Sequence, residues 1–490
     1  MPAALPPSRS TRVVIVGSGF SGVAMAIALR KQGISDLIIL ERAAELGGTW
    51  RDNAYPGCAC DVESVLYSLS FAPNPDWSRA FSPQPEIRAY LERVAAEYGI
   101  VPLIRFGEDV HGAVWDDTAK RWTVESTSGV WQCDAIVLAN GQLSDPVVPE
   151  MAGLASFAGP VFHTAQWNHA VPLEGKRVAV IGTGASAIQA IPAIQPKVGQ
   201  LVVLQRSPAW VMPRWDHAVP AWRRRLHQRF PITQKVLRLA QYLRHETLFL
   251  PFRHAAVRKI AERLISLHRT NQVRDPELRS ALTPRYAIGC KRLLLSDDYY
   301  PAMTQSNVSL VTSAIARVVP DGIVTADGQT HAVDVIVLAT GFRVTDWLLA
   351  PVIRGQGGQT LAEAWQGSPK AYMGTTIAGF PNLFTLMGPN TGLGHSSVLM
   401  MAEAQITHVV QVLAESGKRG ARAAEPTAEA QARYVRWMDA SLATTVWNQG
   451  GCQSWYLDRT GRNSALWPFG VGRFRRTVER VRPEDYRFSA

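Results

Sequence analysis

No stretch of this sequence approaches the run of about 18 apolar residues that a membrane-spanning helix needs. The N-terminus, Met1 to Ser10, is rich in proline and lacks the apolar core of a signal peptide. Cysteine is scarce: five in 490 residues, at positions 58, 60, 133, 290 and 452. They are odd in number, scattered, and form no CxxC or zinc-type spacing. No stapled secreted domain and no metal site is expected, and a reducing cytoplasm is. Low-complexity tracts are also missing, so nothing reads as disordered. Acidic residues are outnumbered, 40 to 51, for a net charge of +11. That excess has a place. Residues 221–280 hold fourteen Lys and Arg against four Asp and Glu, a balance of +10. Such a face could meet nucleic acid or anionic lipid. The preferred reading is plainer, a solvated helical surface beside a phosphate-bearing cofactor, with neither nucleic acid nor a transmembrane segment involved.

What the chain does have is length for two or three domains and one motif stated twice. Val13 to Val16 read as a buried strand, Gly17-Ser18-Gly19-Phe20-Ser21-Gly22 as a glycine loop, and Val23 to Leu29 as a helix. A second apolar run, Leu37 to Leu40, stops at Glu41. In such a βαβ unit the first glycine makes the turn and the second admits a pyrophosphate. The third lets helix meet strand, and the acid accepts from ribose hydroxyls. Gly47-Gly48-Thr49-Trp50 suggests backbone passing close to a flat ligand beside an aromatic wall. Asp61, beyond the Tyr55-Pro56-Gly57 turn, would point back at the same place. Taken singly, Trp50 could be core packing and Asp61 a turn residue. Residues 85–99 read as an amphipathic helix and 110–132 as a β-meander, before a strand from Asp134 that ends at Asn140-Gly141.

The second statement runs from Arg177 through Gly182-Thr183-Gly184-Ala185-Ser186-Ala187 to Leu204. Glu41 lies 24 residues after Gly17, and Arg206 lies 24 after Gly182. An acid at that position repels a 2′-phosphate and a guanidinium binds one. The second site is therefore expected to take NADPH, with Arg206 and Ser207 on the phosphate. Asp334 to Thr340-Gly341 echoes Asp134 to Gly141 and marks the last strand of this domain. The chain should then return to the first domain through Phe380–Phe384 and a helix after His395. Between these landmarks, Ile232, Val236, Leu239 and Leu243, then Val257, Ile260, Leu264 and Leu267, keep helical spacing. They predict an inserted helical subdomain, read as a lid. Two dinucleotide domains suit a flavoprotein fed by a nicotinamide. Disulfide reductases share that plan, but the CxC pair Cys58 and Cys60 does not match the redox pair they need.

Phe157, Gly159, His163 and Trp167 form FxGxxxHxxxW between the two glycine loops, and Gly47 to Asp61 match GGxWxxxx(Y/F)PGxxxD in full. On these motifs the whole chain resembles the class B flavoprotein monooxygenases, in particular the type I Baeyer–Villiger monooxygenases. It departs at Asn168, where the fingerprint usually closes with Pro or Asp. Relatives that oxygenate sulfides or amines usually carry Tyr or Phe where Trp167 stands, so Trp167 favours the Baeyer–Villiger branch. The resemblance implies FAD and NADPH as cofactors, O2 and a small-molecule ketone as partners, and oxidation through a C4a-peroxyflavin to an ester or lactone. Sulfide or amine oxygenation is the alternative. A non-catalytic flavoprotein on an anionic surface is a remote one.

The resemblance also implies roles. Arg292, in Gly289-Cys290-Lys291-Arg292, would lie over the flavin with Asp61 as its partner, and His163 and its neighbours would act at a hinge. Tyr67, Val110 and Lys291 would join the cofactor sites, and Trp455 would touch NADP. The expected fold is α/β, with two Rossmann-like dinucleotide-binding domains, the second nested in the first, and an inserted helical subdomain. Residues 1–150 and 346–490 would bind FAD, 151–214 and 286–345 NADPH, and 215–285 would form the insertion.

Overall fold

A computed structural model describes residues 9–452 and 454–490. β1 (Arg9–Val16) enters a fully buried apolar run at Val13, the pattern of a parallel strand covered on both faces. α1 (Phe20–Lys31) follows, then β2 (Leu37–Glu41). β1 pairs in parallel with β2 on one side and with β6 (Gly129–Leu138) on the other. The amphipathic helix is α2 (Gln84–Glu97), which leads to the edge strand β3 (Ile104–Phe106). β4 (Val110–Asp116) and β5 (Arg121–Ser126) form the meander with β6. The strand expected from Asp134 is the second half of β6, which leaves the antiparallel meander and continues into the parallel layer.

The second sheet is parallel throughout. β7 (Val161–His163) is one edge, β8 (Arg177–Ile181) the centre, and α3 (Ala185–Ile194) leads to β9 (Gln200–Leu204). β10 (Val308–Val311) and β11 (Val335–Leu338) complete the order β10-β9-β8-β11-β7. A three-stranded antiparallel meander from Ile315 to Ala332 precedes its last strand, as the first meander precedes the parallel half of β6. The chain then returns: β12 (Leu383–Thr385) pairs with β6, and α7 (Val398–Lys418) packs on α1. Because α1 is covered by strand and helix, it is buried nearly all round.

The insertion comprises α4 (Ala221–Arg229), α5 (Pro231–Thr247) and α6 (Ala255–Gln272). Its base is closed by a parallel bridge between Val211–Met212 and Leu294–Leu295. The apolar residues whose spacing marked these helices face solvent: Ile232, Val236, Leu239, Leu243, Ile260, Leu264 and Leu267 are all more than half exposed. The buried positions are polar, Gln234, His245 and Arg269. A period of 3.6 identifies a helix without saying which face docks. Here the inward face meets carbonyls and carboxylates. Gln234 donates to the Asn74 carbonyl at 2.6 Å and Arg238 to that of Val65 at 2.7 Å.

One expectation about cysteine fails. Cys290 and Cys452 are disulfide-bonded across 162 residues of chain, while Cys58, Cys60 and Cys133 are free and buried. Scarcity and scatter in sequence do not keep two thiols apart once the fold brings their segments together. Cysteine usage therefore no longer argues for a reducing compartment. No helix of the described residues is long and apolar enough to cross a membrane.

Candidate active site

The three glycines of the first loop are needed for three different reasons. Gly17 has φ +101°, and a Cβ there would lie 2.7 Å from the Ala139 carbonyl oxygen. At Gly22 a Cβ would fall 1.9 Å from the Gly17 carbonyl oxygen, so only glycine lets α1 start against the turn. Gly19 faces an opening whose nearest wall is the Cα of Gly48, 3.7 Å away. A Cβ at Gly19 would project into that space, and a flat phosphate-bearing ligand suits it. Phe20 and Ser21 open α1, its N-terminus free of any side-chain cap.

Glu41 ends β2 beside this loop, already fully engaged. One carboxylate oxygen accepts from Ser18 N at 2.8 Å and Ser18 Oγ at 2.7 Å. The other accepts from Ala43 N at 3.0 Å and Arg51 Nη1 at 2.9 Å. Burial works against its ionisation, but these bonds and the Arg51 charge outweigh it and hold the carboxyl below its ordinary range. Four donors fill a carboxylate's capacity, so a ribose hydroxyl at Glu41 must displace one, the mobile Ser18 hydroxyl being the cheapest. Arg51 was not legible as a partner, since it sits on the turn of helix Thr49–Asp52. Trp50 Nε1 donates to Tyr67 Oη at 3.0 Å, and Phe20 meets the same tyrosine edge-on at 5.7 Å, forming an aromatic wall. Val110, buried at the start of β4, has only its backbone to offer a ligand.

The second loop repeats the turn. Gly182 has φ +112° and its Cβ would lie 2.4 Å from the Ala339 carbonyl oxygen, while Gly184 has open space around it. Ala185 and Ser186 begin α3, and Ala187 takes the helix–strand contact, fully buried. Thr183 Oγ1 donates to the Ser207 carbonyl at 3.0 Å, and Lys291 Nζ to Ser207 Oγ at 3.2 Å. Burial, and then the nearby Arg206 charge, push the Lys291 ammonium below its ordinary pKa. Among the described residues no carboxylate pairs with Arg206 or Lys291. Two cations and a hydroxyl gathered without a counter-charge are what a 2′-phosphate requires. Across the cleft, Gly141 and Gly341 have φ +72° and +87° with nothing beside them, and Thr340 Oγ1 donates to the Val147 carbonyl.

The fingerprint residues run along the edge of the second unit. Phe157 is in the core of the second unit, and a Cβ at Gly159 would sit 2.2 Å from the Asp334 carbonyl oxygen. Trp167 packs against Phe162 and touches the cores of both units. His163 accepts at Nδ1 from Ala165 N at 3.0 Å. A neutral ring then carries its proton on Nε2, and that buried atom has no partner among the described residues. Burial lowers the His163 pKa, which the Gly341 carbonyl partly offsets without reaching hydrogen-bond geometry.

Asp61 and Arg292 meet, 231 positions apart in sequence. Arg292 Nε and Nη2 both donate to Asp61 Oδ2, at 3.0 and 2.6 Å. Among the described residues Asp61 Oδ1 and Arg292 Nη1 take no partner, and the Asp61 charge raises the Arg292 pKa above its ordinary value. Tyr456, fully buried, completes the surroundings; burial pushes its phenol up to about 12 while the Arg292 charge draws it down. Nothing in the sequence singled it out except its neighbour. Trp455 itself is 42 % exposed and sits edge-on to Tyr456 at 4.3 Å.

A family model described as pyridine nucleotide-disulphide oxidoreductase matches residues 14–230. A Baeyer–Villiger monooxygenase of Streptomyces coelicolor is 47 % identical over 477 residues, 97 % of this chain and 92 % of that protein. The chain belongs to the Baeyer–Villiger monooxygenase family. A steroid monooxygenase structure bound to NADP superposes with a TM-score of 0.88 at 33 % identity, covering 98 % of this chain and 99 % of that one. A structure named OTEMO, in complex with FAD and NADP, gives 0.88 at 27 % identity with the same coverage. The two-sheet plan with a helical insertion is thus that of FAD- and NADPH-dependent Baeyer–Villiger monooxygenases. Burial pushes Cys58 up to about 12 and Cys60 higher still, far from a reactive thiolate.

Proposed function

We propose that this chain oxidises a small-molecule ketone to an ester or lactone, with Arg292, anchored by Asp61, as its cationic centre. The observation that carries this is the pairing itself. Two guanidinium N–H groups are fixed on one carboxylate oxygen, and Nη1 is left to act. FAD held by the first glycine loop would supply the chemistry: two electrons from NADPH and one O2 would put one oxygen atom into the product and the other into water. Arg292 places a permanent positive charge where negative charge develops on the substrate's carbonyl oxygen. Arginine cannot lose its proton there, as a lysine could. Asp61 orients the guanidinium and offsets the cost of burying it.

Around this centre each unit has a task. The turn at Gly17–Gly22 and the aromatic wall of Trp50 and Tyr67 hold FAD. Arg206, Ser207 and Lys291 select NADPH over NADH. The Nε2–H of His163 is a free donor for the nicotinamide nucleotide, and Trp167, packed on both cores, transmits movement between the units. His163 therefore acts by position, with burial favouring its neutral ring. We place the enzyme in the cytoplasm, where NADPH is kept reduced.

The test is one cyclic ketone and one thioether, assayed with wild type and Arg292→Ala, scored by product. Ester formation should collapse while NADPH oxidation continues in part. Equal loss of sulfoxidation and ester formation would remove the specific role of Arg292, and activity on the thioether alone would move the enzyme to the heteroatom-oxygenating branch.

A further inference from the structure

Thirteen of the 22 large apolar side chains exposed among the described residues lie between Trp222 and Leu267. On α5, Ile232, Val236, Leu239 and Leu243 are 54–63 % exposed and form one stripe. On α6, Ile260, Leu264 and Leu267 repeat it at 53–62 %. A soluble monomer rarely leaves so much contiguous apolar surface without a partner. Lys235, Lys259 and Arg263 flank these stripes within one helical turn, exposed, and no carboxylate pairs with them among the described residues. Their alkyl stems can lie along the apolar side chains while the charges reach outward. Trp222 and Phe230, 64 % and 53 % exposed on α4 and just after it, add aromatic rings to the same segment.

We infer that this outer face of the insertion docks on the surface of an anionic lipid bilayer. The charge decides between occupants. Residues 221–280 carry a balance of +10, so two copies of this face would repel one another. A nucleic acid would meet the cations but leave aliphatic stripes of Ile, Val and Leu without a counterpart, since its affinity comes from phosphate contacts. A bilayer of anionic lipid satisfies both features at once, acyl chains against the stripe and headgroups against Lys and Arg. The helices lie on the surface, none being long and apolar enough to cross it.

The inward faces show why the location matters. α5 holds the segment that follows Asp61, with His245 Nε2 2.6 Å from Glu63 Oε2. α6 holds the segment carrying Arg292: Glu262 accepts from Ile288 N at 2.9 Å, and His268 lies 3.3 Å from the Ser296 carbonyl. The lipid-facing helices are thus the ones that carry both arms of the Asp61–Arg292 pair.

The test is co-sedimentation of the full-length FAD-loaded protein with vesicles of phosphatidylcholine alone or of equimolar phosphatidylcholine and phosphatidylglycerol. Two variants accompany it, Leu239→Glu/Leu243→Glu/Leu264→Glu and Lys235→Ala/Lys259→Ala/Arg263→Ala. All six side chains are exposed and none touches the proposed active centre, so flavin content and turnover of a water-soluble ketone should be unchanged. Wild type should favour the anionic vesicles by at least about tenfold, and each variant and high salt should lower that binding by about tenfold. Failure to bind, or equal binding to both vesicles, would overturn the inference. So would a dimer in sedimentation velocity that the Leu→Glu variant dissociates, or equally salt-sensitive retention on DNA. Vesicle binding is read without turnover, so a protein that binds lipid yet oxidises no ketone would sink the function proposed above and leave this inference standing.

Discussion

The two dinucleotide-binding units solve one backbone problem in the same way and then diverge at two positions. In each, the first glycine of the loop stands against the carbonyl of an alanine at the end of the neighbouring strand, Ala139 in one and Ala339 in the other. Each last strand follows an antiparallel meander. The first difference is steric. Gly22 has no room for a methyl, yet the second unit places Ala187 at the matching step, buried without conflict. The second difference is electrostatic. Glu41 is saturated by its own unit's donors, whereas Arg206 has no carboxylate partner among the described residues and lies near a second cation, Lys291, which donates to Ser207. The first unit is closed on itself around one acid, and the second is left with unmet positive charge. The two units thus share one turn and differ in the sign of the charge 24 residues downstream of it.

The largest expected effect comes from the Asp61–Arg292 pair, which joins the stretch following the first loop to the second unit. Arg292→Ala should lower kcat/KM for a ketone by about a thousandfold, or ~4 kcal/mol, with FAD content intact by absorbance. Next is the steric contrast. Gly22→Ala should cost about 3 kcal/mol and empty the protein of flavin, while Ala187→Gly costs only about 1 kcal/mol. Denaturant unfolding and flavin occupancy would measure both, and equal effects would break the comparison.

A pH experiment probes the first unit's packing against α7. His408 is fully buried there, Nδ1 donating to the Val478 carbonyl at 2.7 Å and Nε2 accepting from Tyr486 Oη at 2.6 Å. Burial lowers its pKa from 6.5 to about 4. The unfolded chain takes up this proton first, so the contribution is complete above pH 6.5 and is lost as pH falls towards 4, about 3 kcal/mol in all. Melting temperature should drop over that window, and His408→Gln should flatten the drop. The electrostatic contrast has a smaller effect than the loss of Arg292. Arg206→Ala should raise KM for NADPH about thirtyfold, ~2 kcal/mol, with kcat and the KM for NADH unmoved. A matching loss with NADH would show that Arg206 does not read the phosphate.

Much of this was legible before any coordinates. Glycine spacing, apolar runs and the offset to Glu41 and Arg206 announced both units, because a backbone turn around a phosphate admits few residue types. The return of the chain through Leu383–Thr385 to β6 followed from the repeated strand-end pattern at Gly141 and Gly341. The contrary cases share one cause. The helical stripe from Ile232 to Leu267 announced helices but faced outward, since periodicity does not say what lies opposite. Arg51 on Glu41, Tyr456 near Arg292, and the bond from Cys290 to Cys452 all join segments that no local pattern relates.

By itself, then, the sequence determined the two glycine turns, the opposite charges that follow them, and the residue types available at the centre. These are short-range matters, set by sterics and side-chain chemistry within some 25 residues of chain. Only the tertiary structure decided that Glu41 is already spent on its own loop, that one oxygen of Asp61 takes two donors from Arg292, and which side of the insertion meets water. Those outcomes depend on which distant groups compete for the same hydrogen bonds and the same buried surface, and that competition exists only once the chain has folded.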